Sequence, residues 1–153
     1  METCVTYRIA TEQDLDRIIA MLADDSLGSK RERYENPLPA SYKLAFEAIA
    51  SDPNNELVVA CINDKIMGVI QITFTPYLTH QGGWRASLEG VRISSSYRGK
   101  GIGTKLIKWA INRAEERGCH LVQLTTDKER PDALKFYESL GFHNTHEGLK
   151  LKL

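Results

Sequence analysis

Cysteine is scarce and unpatterned in this chain: Cys4, Cys61 and Cys119 form no Cys-x-x-Cys pair, and no histidine stands at metal-ligand spacing. That argues against a disulfide framework or a zinc site and leaves three reduced packing thiols. Net charge is missing too. Twenty basic side chains balance twenty acidic ones, so no cationic surplus exists to displace counterions, and no nucleic-acid partner is expected. No apolar run is long enough to span a bilayer, and Met1 to Asp16 carries charge throughout, so no membrane partner and a cytoplasmic location are expected. Repeats, linkers and low-complexity tracts are also absent. With 153 residues there is room for one core, hence one domain over 1–153.

What is present is a regular succession of periodicities. Thr6 to Ala10 reads as a short strand, and Thr11 with Asp14 caps a helix whose Leu15, Ile18, Ile19 and Leu22 share a face. After the polar stretch Asp24 to Pro39, Leu44, Ala45, Ala48 and Ile49 mark a second helix that ends before Asp52-Pro53. Glu56 to Ile62 and Ile66 to Thr75 read as strands joined by the tight turn Asn63-Asp64-Lys65. Ser87 to Ile93 follows as a strand, and the close connections make this half of the sheet antiparallel. A helix with Leu106, Ile107, Ala110, Ile111 and Ala114 on one side ends at Gly118. Leu121 to Thr126 is nearly continuously apolar, which predicts a strand covered on both faces and parallel to Ser87–Ile93. Pro131 opens a last helix, Gly141 closes it, and His143 to Leu153 alternates as a final hairpin would. The predicted class is α/β: a mixed, mostly antiparallel sheet of about seven strands with a central parallel pair and about four helices.

The densest chemistry lies between the strand ending at Ile93 and the helix after it. In Tyr97-Arg98-Gly99-Lys100-Gly101-Ile102-Gly103-Thr104 three glycines alternate with two cations and a hydrophobe just before a helix N-terminus. Backbone amides of such a loop, together with the unsatisfied N–H groups of the first helical turn, converge on an anion, and a diphosphate suits them. A P-loop is excluded: counting back from Gly99-Lys100 lands on Ser94, and Gly101 follows the lysine. A dinucleotide fingerprint needs glycine at 104, where Thr stands, although Asp127 lies where a ribose-binding acid belongs.

Arg98-Gly99-Lys100-Gly101-Ile102-Gly103 resembles motif A of the GCN5-related N-acetyltransferases, Arg/Gln-x-x-Gly-x-Gly/Ala. Ala133-Leu134-Lys135-Phe136-Tyr137-Glu138-Ser139-Leu140-Gly141-Phe142 is similar to their motif B, with a tyrosine ahead of the closing Gly-Phe. The resemblance extends in element order from Tyr7 to Leu153; where the family often carries Asn, three residues before the motif B alanine, this chain has Arg130.

The resemblance implies an acetyl-CoA-dependent N-acetyltransferase acting on a primary amine. The cofactor-binding set is then Val91, Ile93, Arg98, Gly99, Lys100, Gly101, Ile102, Gly103, Thr104, Arg130 and Tyr137. Backbone groups of Val91 and Ile93 are expected to be free to pair with the pantetheine arm between diverging strands, and the Val91 amide to meet the oxyanion. An alkylamine of pKa near 10.4 must lose a proton, which costs roughly 4 kcal/mol at neutral pH. Glu89, two residues before Val91 and on its face if alternation holds, is the candidate base, against the alternative of an edge-exposed glutamate. Tyr137 is the candidate acid for the leaving thiolate, against the alternative of core packing. Cys119, at a helix C-terminal end where the dipole disfavours a thiolate, points to direct transfer in a ternary complex.

The family places the acceptor against Asp24–Tyr42 and the Pro76–Arg85 loop, where Tyr77 and Trp84 can wall a cationic amine. Small amines, amino acids, polyamines and protein N-termini all remain open. Leu149, Leu151 and Leu153, alternating with Lys150 and Lys152, suit a half-buried edge strand or a dimer seam, and the expectation is a homodimer. Two alternatives stand beside the enzyme: a non-catalytic acyl-CoA sensor, and a dinucleotide-binding oxidoreductase.

Overall fold

Asn63 and Asp64 are the first structural decision of the chain. Both hold left-handed backbone, with φ of 51° and 65°, the conformation that a two-residue turn needs to match the twist of its flanking strands. The computed structural model describes residues 4–153, and in it this turn joins β2, Asn55–Ile62, to β3, Lys65–Pro76, with Ile62 opposite Lys65. Five strands make one sheet in the order β1-β2-β3-β4-β5, the others being β1, Thr6–Ile9, β4, Trp84–Ile93, and β5, Cys119–Leu124. The first four pair antiparallel. Helix α5, Ile102–Glu116, carries the chain back to β5, which forms the parallel pair with β4.

Side-chain alternation sorts the sheet into two faces. Ile70, Ile72, Phe74, Ala86 and Leu88 are at most 2% exposed and lie on the face against which α5, Ile102–Glu116, packs. Burying each of the larger ones contributes on the order of 1.5–3 kcal/mol. On the other face, α1, Leu15–Leu22, places Ile18 and Met21 on Val59, Cys61 and Val69. The predicted cap of α1 is present: the Asp14 carboxylate accepts from the Thr11 N–H at 2.7 Å and takes a forked pair from Arg8 at 2.7 and 2.9 Å. These bonds hold its pKa down at about 2.

Between these elements lie α2, Gly28–Arg31, a further helix α3, Ala40–Ser51, and a single turn α4, Thr79–Gly82, bent by left-handed His80 and Gln81. On α3, Phe46 packs on the α1 cluster, and Leu44 is 65% exposed. In its first turn the Tyr42 hydroxyl donates to Glu32 at 2.8 Å and accepts from the Arg33 N–H at 3.0 Å.

The chain divides between Gln123 and Leu124 into two compact units. In the second, α6 runs Pro131–Ser139 with proline in its first turn, and Gly141, φ 97°, ends it. The predicted closing hairpin is not formed: among the described residues no strand lies over 143–153, and Leu149, Leu151 and Leu153 are almost fully exposed. The sheet therefore has five strands rather than about seven. None of the residues of β5 is fully buried, against the expectation of cover on both faces, and Leu121 is 43% exposed. An alternating or apolar pattern reports which residues seek cover, but pairing needs a neighbouring edge, which the pattern cannot supply.

Candidate active site

Gly99 and Gly101 have φ of 76° and 78°, and an added Cβ at either would meet nothing within 4 Å. Glycine is required here for backbone conformation and not for space. Gly101 caps α5, and the first intrahelical bond runs from the Lys105 N–H to the Gly101 carbonyl at 3.2 Å. Helix geometry leaves the N–H groups of Ile102, Gly103 and Thr104 without intrahelical carbonyls. No acidic residue stands in this first turn, so the positive end of the dipole is uncompensated. Ile102 has a double role, because its side chain is 2% exposed and packs with Ile62 and Met67 while its amide belongs to the cradle. The Arg98 guanidinium spans two carbonyls, Ile93 at 3.2 Å and Asp24 at 3.1 Å, and the Lys100 ammonium lies 5.1 Å from the centre of the Tyr97 ring. The charges sit beside the loop and also fasten it.

Just upstream, β4 carries a bulge. Arg92 faces Val69 and Glu89 faces Gln71, so Gly90 and Val91 together oppose one residue of β3. Gly90, φ 61°, makes the extra step. The bulge breaks the strict alternation between Glu89 and Val91 that the sequence suggested, and it takes Val91 out of the regular register. The carbonyls of Val91 and Ile93, expected to be free, are occupied: Arg92 donates to the first at 2.8 Å and Arg98 to the second at 3.2 Å. A strand-like ligand reaches those carbonyls by displacing arginine side chains, whereas the Val91 amide lies outside the paired positions.

Glu89 is exposed and stands on the face opposite the buried Ala86 and Leu88. That face is polar for several residues. Gln71 and Thr73 both donate to the Asn55 side-chain carbonyl at 2.9 Å, and Gln123 of β5 donates to Ser87 at 3.1 Å. Sequence reasoning missed this floor. Its signal was there in the strict apolar–polar alternation of Ile70-Gln71-Ile72-Thr73-Phe74-Thr75 and of Arg85-Ala86-Ser87-Leu88-Glu89.

The glycine cradle on the helix start is formed by the residues that resemble motif A, and a family model described as Acetyltransferase (GNAT) family matches residues 18–142. The chain belongs to the GNAT acetyltransferase family. It is an N-acyltransferase, and acetyl-CoA is its co-substrate. Its sequence is 29% identical to the aminoalkylphosphonate N-acetyltransferase of Salmonella typhimurium, over 91% of this chain and 85% of that protein. Its structure is similar to that of a transcriptional regulator from Bacillus halodurans C-125, with a TM-score of 0.95, 64% identity and coverage of 98% of this chain and 100% of that one. A predicted acetyltransferase from Clostridium acetobutylicum, solved with acetyl-CoA, shares the fold with a TM-score of 0.74 at 22% identity, covering 97% of this chain and 96% of that one.

Within the second unit of this GNAT chain, Tyr137 is half-buried between Phe136 and Phe142, with ring centres 5.2 and 5.8 Å away in edge contacts. Arg130 is the N-cap of α6, its N–H bonded to the Asp127 carbonyl at 2.9 Å. The Asp127 carboxylate accepts from the Glu129 N–H at 2.9 Å, which makes Asp127 a turn residue; family membership sets aside its reading as a ribose ligand. Burial raises the Cys119 thiol above its ordinary pKa, which disfavours a thiolate nucleophile. Two surface grooves, of about 480 Å³ beside Leu15, Asp16, Pro39 and Tyr42, and about 300 Å³ beside Tyr7 and Trp109, include neither the cradle nor Glu89. Among the described residues no helix is long and apolar enough to cross a membrane, and no metal-binding cluster occurs.

Proposed function

We propose that the chain acetylates a small-molecule primary amine by direct transfer from acetyl-CoA in a ternary complex, with 1–153 acting as one acetyltransferase domain in the cytoplasm. The observation that carries this is the cradle: left-handed Gly99 and Gly101 lead into a helix start whose first three amides have no intrahelical acceptor. Those amides, with Arg98 and Lys100 alongside, suit the diphosphate of the co-substrate. Arg130 contributes to the same co-substrate where other family members use Asn.

Each residue has one job in this reading. Glu89, through water, accepts the ammonium proton, so that the free amine attacks the thioester carbonyl as the new C–N bond forms. The Val91 N–H, out of register at the bulge, donates to the oxygen that gains charge. Tyr137 gives its phenolic proton to the sulfur as the C–S bond breaks and is reprotonated, through water, by the second proton that the nitrogen sheds as the amide forms, while Glu89 releases its proton to solvent. Tyr137 is assigned on its place in motif B. The similar Salmonella protein is named for an aminoalkylphosphonate, which supports a small amine over a protein N-terminus.

A homodimer belongs to the same proposal. Leu149, Leu151 and Leu153 expose alternate apolar side chains on an extended segment, and the apolar β5 lacks full cover. A second copy supplies that cover.

Thermal melts with acetyl-CoA, CoA, NADH and ATP test the reading. Acetyl-CoA and CoA alone are expected to raise the midpoint, since ligand at a hundred times its Kd adds about 2.7 kcal/mol; thiol release with an amine panel then follows. A shift with NADH alone overturns it. A second reading, an acyl-CoA sensor without turnover, is favoured by the 64% identical structure described as a transcriptional regulator. Melting shifts with acetyl-CoA and no thiol release from any amine select that reading.

A further inference from the structure

We propose that Arg85 seats an anionic group of the acceptor, so that the amines used by this protein carry a phosphate, phosphonate or carboxylate at the end remote from the reacting nitrogen. The nitrogen's position in this picture rests on the acetyltransferase reading above.

Arg85, Ser87 and Glu89 alternate with the buried Ala86 and Leu88 and therefore share one face of β4. Across the ladder they stand opposite Thr75, Thr73 and Gln71. A cation and an anion thus close the two ends of a floor whose middle is neutral hydroxyl and amide. Their Cα atoms are four residues apart, roughly 13 Å at the usual strand rise. A small molecule bearing an ammonium at one end and an anion at the other matches this polarity, and hydroxyls between them would meet Ser87, Thr73 and Gln71.

Arg85 differs from five other arginines of the fold. Arg8, Arg33, Arg92, Arg113 and Arg117 each lie within 4 Å of a carboxylate. Among the described residues Arg85 has no such partner. Its guanidinium lies over the Tyr77 ring, 4.4 Å from the centroid, and its Nε is buried with no hydrogen-bond acceptor. A buried donor left without an acceptor costs about 1–3 kcal/mol, a cost that an incoming oxyanion removes. Guanidinium donors match phosphonate and carboxylate oxygens two at a time.

Tyr77 also changes meaning. As an aromatic wall it suggested a seat for a substrate cation, but the ring face is already taken by Arg85. The ring occupies one side of the guanidinium and accepts none of its N–H donors in a conventional hydrogen bond, which leaves them for an anion. The same loop therefore selects for negative charge.

The test is calorimetry on CoA-saturated protein with two matched pairs of probes: glucosamine 6-phosphate against glucosamine, and 4-aminobutyrate against butylamine. The anionic member of at least one pair is expected to bind tenfold or more tightly at low salt, with the advantage shrinking as salt rises. The pair that shows it distinguishes a phosphorus oxyanion from a carboxylate. Arg85→Gln should erase the preference and Arg85→Lys should retain part of it, melting midpoints confirming that both fold. Equal binding within both pairs, or a preference that survives Arg85→Gln, overturns the proposal. In parallel, thiol release from acetyl-CoA should show the preference in KM rather than kcat. Arg85-dependent binding without thiol release would leave the anion seat standing and remove the acetyltransferase reading.

Discussion

Replacing Gly101 by alanine separates the cradle from the fold, because a second glycine provides a matched control. Gly101 and Gly118 have φ of 78° and 76°, and at neither would a Cβ meet anything within 4 Å. The cost of alanine at both is therefore conformational, about 1–2 kcal/mol for an L-residue held in the left-handed region. In a chain of this length that corresponds to a fall in Tm of about 2–8 °C. Gly118 closes α5 after Glu116, whereas Gly101 opens it and aims its first amides. If the loop relaxes to relieve the strain, the amides of Ile102, Gly103 and Thr104 turn away, and the same free energy becomes roughly a 5- to 30-fold rise in KM for acetyl-CoA. Gly118→Ala should lower Tm and leave that KM alone. Acetyl-pantetheine lacks the diphosphate, so its KM should be insensitive to Gly101→Ala. Equal KM for acetyl-CoA in wild type and Gly101→Ala, or equal losses with both donors, would refute the phosphate role of the loop.

Tyr137→Phe should reduce kcat at least tenfold with little change in KM for acetyl-CoA, and an unchanged kcat removes the general acid. For Glu89→Gln, kcat/KM followed against pH should lose the wild-type response across the alkaline limb; an unaltered profile eliminates Glu89 as the base. Asp14, with its carboxyl held down at about 2 by Arg8 and Thr11, contributes stability that is complete above about pH 4 and lost as pH falls through 2. Asp14→Asn should cost about 2 kcal/mol at neutral pH and flatten that acid limb in denaturant titrations, whereas a variant that melts like wild type contradicts the assignment. Replacing Leu149, Leu151 and Leu153 together by serine should convert a dimer to a monomer by light scattering, and a wild-type mass of one chain ends the dimer proposal.

Local interactions made much of this protein legible before folding. The Asn63-Asp64 turn, the Thr11–Asp14 cap, the proline opening α6 and the glycines closing α5 and α6 are set by residues a few positions apart, and each stands where the sequence put it. The cradle belongs to the same class, since three glycines and a helix start need no distant partner to define an anion site. That Phe46 of α3 packs on the α1 cluster while Leu44 is exposed was not legible, because helical periodicity marks a helix without naming the cluster it meets. The closing hairpin was misread because alternation over 143–153 specifies two faces but not a neighbour to pair with.

The sequence by itself determined the family, the glycine loop that opens α5 and the order of the main elements from β1 to α6, because those follow from motifs and from short-range backbone preference. Only the tertiary structure decided what the sheet's open face is made of. The β4 bulge, the arginines on the Val91 and Ile93 carbonyls, and the line from Glu89 to Arg85 arise when β3 and β4 come into register. Register is a long-range choice: it joins residues through the sheet whose neighbours in the chain say nothing about one another, and the polar face from Glu89 to Arg85 is built from it.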